Sequence, residues 1–215
     1  MDPSKHTIDP SHLDPSTRNK DSTHVQGREP LDTPLLVLGP AYSGKSLWAR
    51  HTLDPERPAL VIRTADDSSA CVQAGSSTVK NLPTLWRAVS PGSDLTAILL
   101  DALGDEEQIL VDCINQWIGR LVVEAGARSQ SAVTGRLEEL FRHLSLQKRN
   151  PHQRVTIVSA EAGASPPPAG HDERFFRLCL GITNQQLAAW CRSVVLVHAG
   201  LPLVIKAPLK INQPK

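Results

Sequence analysis

The stretch Gly39-Pro-Ala-Tyr-Ser-Gly44-Lys45-Ser46 decides the fold of this chain of 215 residues. It fits the pattern G-x-x-x-x-G-K-S/T, a loop whose backbone N–H groups wrap polyphosphate at the start of a helix. The glycines permit a tight turn, the lysine reaches the β- and γ-phosphates, and the serine hydroxyl binds Mg²⁺. The alternative, a glycine-rich turn with an incidental lysine, is disfavoured because a strand-like run precedes the loop and a helix-like run follows it. The predicted nucleotide-binding residues are Gly39, Ser43, Gly44, Lys45, Ser46 and Leu47, with Lys45 also catalytic and Ser46 also a metal ligand.

Short apolar runs alternate with helical stretches on the C-terminal side of this loop. Runs that are apolar nearly throughout are typical of parallel strands covered on both faces. A last run after Gly200 and Pro202 predicts a strand that forms a hairpin with its predecessor. The pattern predicts an α/β fold of the P-loop NTPase (RecA-like) type, with a mostly parallel sheet, helices on both faces and a C-terminal β-hairpin. The predicted strands are 35–38, 59–64, 108–113, 154–159, 193–198 and 203–206, and the predicted helices are 45–53, 134–148 and 173–191.

Composition excludes several classes of protein. With 23 basic and 22 acidic residues the net charge is +1, so no global field attracts nucleic acid or an anionic membrane surface. The longest nearly apolar stretch, 194–205, is shorter than the roughly 20 residues that cross a bilayer. The first residues show no basic and apolar signal pattern, so the predicted location is the cytoplasm. The four cysteines form no C-x-x-C pair and are predicted to be reduced thiols.

The first 33 residues differ from the rest of the chain. They are rich in Pro, Ser and Thr, have no helical or strand period, and repeat Asp-Pro-Ser three times. Such a segment buries too little apolar surface to offset its ordering entropy. The sequence therefore predicts a disordered tail over 1–33 and one nucleotide-binding domain over 34–215. Three histidines in the tail are predicted to be solvated, because their spacing suits a shared metal site poorly: His6, His12 and His24.

Two acidic residues follow predicted strands and are candidates for the chemistry at the loop. Asp112 ends the run that begins at Gln108 and is predicted to be a catalytic residue and a Mg²⁺ ligand, with helix capping as the alternative. Glu161 comes just after the predicted strand 154–159. Its predicted role is catalytic, and the residues alone leave open a base, a metal ligand or a solvated loop position.

Three segments carry a resemblance to a known family. The loop matches the family's G-x-x-x-S-G-K-S, and Asp112-Cys113-Ile114 with Trp117 matches its Asp-Cys-Leu-Thr-Leu-Trp segment. The longest match is an acidic residue and a glycine, then a proline, an Arg-x-Phe-Arg helix, a glycine and Asn-Gln. The matching residues are Glu161, Gly163, Pro168, Arg174, Phe176, Arg177, Gly181, Asn184 and Gln185, and Gly200, Pro202 and Lys206 match the closing segment. Over residues 35–206 the chain thus resembles the adenosylcobinamide kinase / adenosylcobinamide-phosphate guanylyltransferase family of cobalamin biosynthesis.

The resemblance implies ligands and partners that the spacing alone does not give. It implies Mg²⁺ with GTP or ATP as cofactors, adenosylcobinamide as the corrinoid substrate, and a homo-oligomer, namely a trimer. Arg174 and Arg177 lie three apart on one helix face, and their guanidiniums suit the phosphates of the nucleotide, with surface ion pairs as the alternative. Asn184 and Gln185 suit polar contacts either within the fold or to a ligand.

The chain departs from the family in the stretch 65–85, which is predicted to be an exposed loop. The family carries there a histidine that takes GMP covalently, and this stretch has no histidine. Imidazole attacks at neutral pH, whereas the hydroxyls of Ser77 and Thr78 near the missing position are not activated. Guanylyl transfer is therefore predicted to be lost. In this part of the chain Pro83 and Trp86 match the family, whereas Leu82 and Ser90 replace its arginine and its glutamate. Asp66 and Asp67 match the family's acidic segment weakly.

The role of the missing histidine is assigned to none of the histidines elsewhere in the body of the chain, which are His51, His143, His152, His171 and His198.

Three functional hypotheses follow from these observations. The first is an enzyme that transfers the terminal phosphoryl group of GTP or ATP to a hydroxyl of adenosylcobinamide, with Lys45, Ser46 and Mg²⁺ on the transferring group. The second is a non-catalytic or repurposed nucleotide-binding protein of the same fold, favoured by the altered stretch 65–90. The third, an unrelated small-molecule kinase or ATPase, explains the loop but not the C-terminal matches.

Overall fold

The computed structural model describes residues 31–65, 82–92, 94–126, 130–148, 150–163, 166 and 168–208. Its centre is a seven-stranded sheet in the order β3-β2-β4-β5-β1-β6-β7. All neighbouring strands are parallel except the last pair, where β7 runs antiparallel to β6 and forms the expected hairpin. The strands are β1 (Leu35–Gly39), β2 (Ala59–Arg63), β3 (Trp86–Val89), β4 (Gln108–Asp112), β5 (Arg154–Ala160), β6 (Ser193–His198) and β7 (Leu201–Lys206). The predicted P-loop NTPase-like α/β fold is confirmed.

Two separate hydrophobic clusters cover the two faces of the sheet. Strand residues alternate between them: Leu36 and Ile157 belong to one cluster, and Val37 and Val158 to the other. This explains why the strands read as continuous apolar runs in the sequence. Among the described residues, one helix covers the second face and four cover the first, and none of the five is long and apolar enough to cross a membrane. The helices are α1 (Lys45–Arg50) on the second face, and α2 (Leu95–Asp105), α3 (Ile114–Ala125), α4 (Gln130–Leu146) and α5 (His171–Trp190) on the first.

Three elements were not predicted from the residues, namely β3, α2 and α3. Strand β3 lies at the edge of the sheet, where only Trp86 of its four residues is buried, so it forms no apolar run. Helix α2 is apolar over most of its length, which hides its helical period. A capping signal does mark its start, because the carboxylate of Asp94 accepts a hydrogen bond of 3.3 Å from the N–H of Ala97.

The end of the predicted tail contacts the folded body. The hydroxyl of Thr33 donates to the carbonyl of Gln153 at 2.8 Å, and Asp32 forms an ion pair with Arg192 at 3.2 Å. Leu31 packs against the second cluster. The remaining tail residues, including the three tail histidines, lie outside the described residues. Residues 31–33 therefore contact the body, and the division of the chain into tail and domain stays a prediction.

The C-terminal end of α5 is held by the closing lysine of the family pattern. The Nζ of Lys206 donates to the carbonyls of Ala188 at 2.8 Å and Cys191 at 2.7 Å. A cation at this end of a helix satisfies carbonyls that have no partner within the helix, and it opposes the helix dipole. The matched Lys206 thus joins β7 to α5 and has a structural role.

Candidate active site

The topology brings the predicted site residues to one edge of the sheet. β1 lies between β5 and β6, and β5 is followed in the sheet by β4. Because these four strands are parallel, Gly39, Asp112 and Glu161 all come at their carboxyl ends. Ligands of open α/β sheets bind at this edge.

The phosphate loop has the backbone of an anion-binding site. Tyr42 and Gly44 have φ angles of 58° and 87°, so left-handed residues alternate with their neighbours along the loop. Alternation of this kind turns successive N–H groups toward one concave side, where they bind anions. The N–H of Ser43 closes a turn on the carbonyl of Pro40 at 3.3 Å. The loop then passes directly into α1, as the sequence predicts.

The lysine and the serine of the motif occupy the positions that their chemistry requires. The Nζ of Lys45 lies 3.1 Å from the carbonyl of Pro40, so the side chain folds back over the loop. The hydroxyl of Ser46 donates to the carboxylate of Asp112 at 2.8 Å. The serine hydroxyl oxygen and the carboxylate oxygen thus lie side by side, and both are hard ligands for a metal ion. Mg²⁺ at nucleotide sites binds one or two protein oxygens together with phosphate oxygens and water. Ser46 and Asp112 therefore fit a Mg²⁺ ion.

Gly39 is required by the packing beneath the loop. A Cβ atom at this position would lie 2.5 Å from the hydroxyl of Ser43 and 2.5 Å from the carbonyl oxygen of Val197. Ser43 is itself buried, so neither neighbour has free space to retreat into. The glycine thus allows β1 and the loop to approach β6 closely.

We expect Gly39→Ala to lower the free energy of unfolding by about 2 kcal/mol, because overpacking against backbone forces the loop to shift. The measurement is the midpoint of denaturant unfolding. Gly135→Ala is the matched control, since a Cβ there meets no atom within 4 Å in the middle of α4. That control should raise stability by roughly 0.5–1 kcal/mol through helix propensity. Equal midpoints for the two variants would contradict the packing argument.

The tip of the β6–β7 hairpin supports the loop from the side. The N–H of Gly200 donates to the carbonyl of Ser43 at 2.8 Å. Ala199 and Gly200 have φ angles of 51° and 80°, which form the tight turn of the hairpin. The two glycines of the family pattern, Gly44 and Gly200, lie close enough that a Cβ on the former would be 3.4 Å from the latter's Cα. The closing segment therefore fixes the conformation of the loop.

Arg50 is a site residue that the sequence reasoning missed. Burial lowers the pKa of its guanidinium, and the nearby charge of Asp112 opposes this by raising the pKa. A cation thus stands beside the carboxylate that is predicted to bind the metal. The signal was present in the sequence, because Arg50 follows Ser46 by four residues and shares its helix face. The adjacent His51 has its pKa lowered by burial and then by Arg50, which favours the neutral imidazole.

Glu161 begins a loop that the two predicted arginines hold in place. Its N–H continues the sheet by donating to the carbonyl of Gly39 at 3.0 Å, and its carboxylate accepts from the N–H of Gly163 at 2.6 Å. Arg177 donates to the carbonyls of Pro166 at 2.8 Å and Ala162. Arg174 donates to the carbonyl of Ala169 at 2.5 Å, also in this loop. These two guanidiniums lie on one face of α5, as predicted, and their contact with phosphate stays a prediction.

Asn184 joins α5 to the end of β5. Its amide donates to the carbonyl of Ala160 at 2.9 Å and its oxygen accepts from the hydroxyl of Ser159 at 2.6 Å. Of the two readings of this residue, the structure shows the contact within the fold. Leu47 is half exposed in the first turn of α1, next to the loop.

Part of the altered stretch lies outside the described residues, and with it the positions Asp66, Asp67, Ser77 and Thr78. Of the remaining histidines, His198 lies at the carboxyl end of β6, two residues before the glycine that contacts the loop. It is exposed. Three of the four cysteines are described, and Cys113, Cys179 and Cys191 are reduced thiols, as predicted.

A cavity of about 290 Å³ lies far from this site. It opens at the amino ends of the strands, where Pro34 precedes β1, Gln153 precedes β5 and Arg192 precedes β6. The phosphate loop and the first turn of α1, by contrast, carry two exposed apolar side chains, Tyr42 and Leu47. The loop therefore lies on an open surface at the opposite edge of the sheet.

Comparison with known proteins agrees with these features. The family model described as "Cobinamide kinase / cobinamide phosphate guanyltransferase" matches residues 35–205. The bifunctional adenosylcobalamin biosynthesis protein CobU of Escherichia coli (strain K12) is 26% identical over 186 residues, which cover 80% of this chain and 99% of that protein. The bifunctional adenosylcobalamin biosynthesis protein CobP of Pseudomonas aeruginosa is 28% identical over 179 residues, covering 80% and 96%. Among solved structures, the RadB recombinase covers 77% of this chain and 74% of its own at 15% identity, with a TM-score of 0.45.

Proposed function

The chain belongs to the cobinamide kinase / cobinamide phosphate guanyltransferase family, and on that premise we propose that it transfers the terminal phosphoryl group of GTP or ATP to a hydroxyl group of adenosylcobinamide. The observation that carries this proposal is the intact phosphate loop. Its left-handed residues Tyr42 and Gly44 support a polyphosphate site, and the contact of 2.8 Å between Ser46 and Asp112 supports a metal site beside it.

Phosphoryl transfer depends mainly on positioning and on stabilising charge. In the proposed mechanism the N–H groups of the loop hold the phosphates, and Lys45 moves from the carbonyl of Pro40 onto the oxygens of the transferring group. Ser46 and Asp112 would hold Mg²⁺, which would supply positive charge to the phosphate oxygens. Glu161, half buried beside Gly39, is the proposed acceptor for the proton of the attacking hydroxyl.

Arg174 and Arg177 are proposed to bind the phosphates of the nucleotide. In the structure they contact the segment that follows Glu161. Their donors contact carbonyls of residues 162–169, which follow Glu161 directly. Phosphate oxygens accept more strongly from guanidinium than neutral carbonyls do. Binding of a triphosphate would therefore draw these side chains toward the site.

The guanylyl half of the family's activity is proposed to be lost. The sequence has no histidine between His51 and His143, so the stretch that carries the family's nucleophile has none. The hydroxyls of Ser77 and Thr78 attack poorly at neutral pH without a base. What remains is a kinase of the same family.

The partners and setting are proposed from the family. We propose a homo-oligomer, a trimer by resemblance, located in the cytoplasm and without nucleic-acid or membrane partners. The edge strand β7 supports an oligomer, because two alternate apolar side chains on it are exposed: Leu203 and Ile205. Exposed apolar rows of this kind mark contact surfaces.

The test of this function is incubation with cobinamide and either GTP or ATP, followed by mass spectrometry of the corrinoid. One added phosphate is the expected product. A protein that binds the nucleotide yet leaves the corrinoid unchanged would support the non-catalytic alternative instead. Omission of Mg²⁺ should abolish the product, since the Ser46 and Asp112 oxygens are proposed to act through it.

The mass of the intact protein after incubation with GTP and Mg²⁺ tests the guanylyl half separately. We expect no change in mass, because the stretch 65–85, where the family carries its nucleophile, has no imidazole to form a phosphoramidate. A protein heavier by one GMP would overturn the proposed loss. His198→Asn would then locate the attachment, since His198 is the histidine that lies beside the hairpin tip.

A further inference from the structure

Tyr42 is an aromatic residue in a conformation that its backbone does not favour. Its φ of 58° is left-handed, which costs a bulky residue roughly 1–2 kcal/mol and costs glycine little. The loop needs this backbone, but it does not need this side chain. The ring is 82% exposed, so it does not stabilise the fold by burial either. Strained residues that the fold does not require are typical of functional sites.

The position of Lys45 indicates which end of the nucleotide lies near this ring. The Nζ of Lys45, which reaches the β- and γ-phosphates in such loops, lies 3.1 Å from the carbonyl of Pro40. The terminal phosphate therefore belongs over the first half of the loop, between Pro40 and Tyr42. A hydroxyl that attacks this phosphate approaches from the same end. The ring of Tyr42 thus borders the path of the acceptor.

The hairpin tip adds apolar surface at the same place. The hydrogen bond of 2.8 Å from the N–H of Gly200 to the carbonyl of Ser43 joins the residue before Leu201 to the residue after Tyr42. Leu201 is 70% exposed. Two exposed apolar residues therefore flank this backbone contact in sequence, which suits a ligand with a broad, weakly polar face.

We propose that Tyr42 is a specificity-determining residue that packs its ring against the flat macrocycle of the corrinoid acceptor; this rests on the proposed function. Aromatic rings stack on planar groups with little loss of side-chain entropy. The nucleotide is held by the backbone of the loop and by Lys45, so the ring acts on acceptor affinity and leaves nucleotide affinity unchanged.

The chain offers a clean test, because Tyr42→Gly removes the ring while keeping the left-handed backbone accessible. Cobinamide is titrated, by its visible absorption, into full-length protein loaded with a non-hydrolysable nucleotide analogue. We expect Tyr42→Gly to raise the Kd for cobinamide about 10-fold, as loss of one stacking contact does, and Tyr42→Phe to restore it. The Kd for the nucleotide analogue is measured on the same samples, and Tyr42→Gly and Tyr42→Phe should differ far more in cobinamide affinity than in nucleotide affinity.

Three outcomes would overturn the inference. Equal cobinamide affinity in Tyr42→Gly and the wild type would show that the ring does not contact the acceptor. A parallel loss of nucleotide affinity would place the ring on the nucleotide. A smaller sedimenting mass for Tyr42→Gly would show that the ring is covered by a second copy of this chain. Absence of cobinamide binding by the wild type, with nucleotide binding intact, would instead overturn the proposed function and this inference together.

Discussion

Replacement of Lys45 by alanine should weaken the binding of GTP and ATP by about 100-fold, because charge-assisted hydrogen bonds of this kind contribute roughly 1.5–3 kcal/mol each. The side chain folds over the loop, with its Nζ 3.1 Å from the carbonyl of Pro40, so it already lies on the concave side where phosphates would bind. Its removal deletes the mobile charge of the site and leaves the loop backbone in place. Isothermal titration of each nucleotide, with and without Mg²⁺, measures the effect.

Lys148→Ala is the matched control for this variant. Lys148 is an exposed lysine after α4 that lines the cavity at the opposite edge of the sheet. Its replacement removes the same charge from the protein and should leave both affinities unchanged. If Lys45→Ala and Lys148→Ala bound nucleotide equally well, the phosphate loop would not be the nucleotide site, and the proposed kinase would have no basis.

The phosphate loop and the carboxylate beside it could be predicted from the sequence for local reasons. The loop is one short motif, and the strand before it and the helix after it are visible as apolar and helical runs. Asp112 could be predicted to lie at the edge of the loop because a parallel sheet brings the carboxyl ends of its strands to one edge. Its contact with Ser46 also requires that β4 lies only one strand away from β1. The hydrogen bond between Ser46 and Asp112 confirms that these two residues meet.

The contacts that shape the loop could not be predicted, because they join residues far apart in the chain. The support of Ser43 by Gly200 depends on β6 lying next to β1, which the sequence does not specify. The strain at Tyr42 comes from its positive φ angle. A sequence indicates such an angle only through residue types that favour it, such as Gly and Asn, and tyrosine is not one of them. Arg174 and Arg177 were likewise predicted only in part. Their helical spacing predicted that they share one face of α5, but it could not predict which carbonyls they contact.

Asparagine at position 112 should lower the rate of phosphoryl transfer on the order of 10²- to 10³-fold, as loss of one charge-stabilising group does in other enzymes. Asp112 is buried beside Ser46, and an amide of the same shape can still accept the hydrogen bond of 2.8 Å from the serine hydroxyl. What the substitution removes is the negative charge that attracts Mg²⁺. The concentration of Mg²⁺ that gives half the maximal rate should therefore rise along with the loss in rate.

Nucleotide binding in EDTA separates this metal role from a structural one. Without Mg²⁺ the carboxylate of Asp112 only repels the phosphates, so Asp112→Asn should bind nucleotide at least as well as the wild type under those conditions. Asp105→Asn, at the exposed end of α2, is the matched control and should change neither the rate nor its dependence on Mg²⁺. Asp112 also lies near the partly buried Arg50 and raises the pKa of its guanidinium. If the role of Asp112 were only to hold Arg50 and its surroundings in place, Asp112→Asn would bind nucleotide less well than the wild type both with Mg²⁺ and in EDTA.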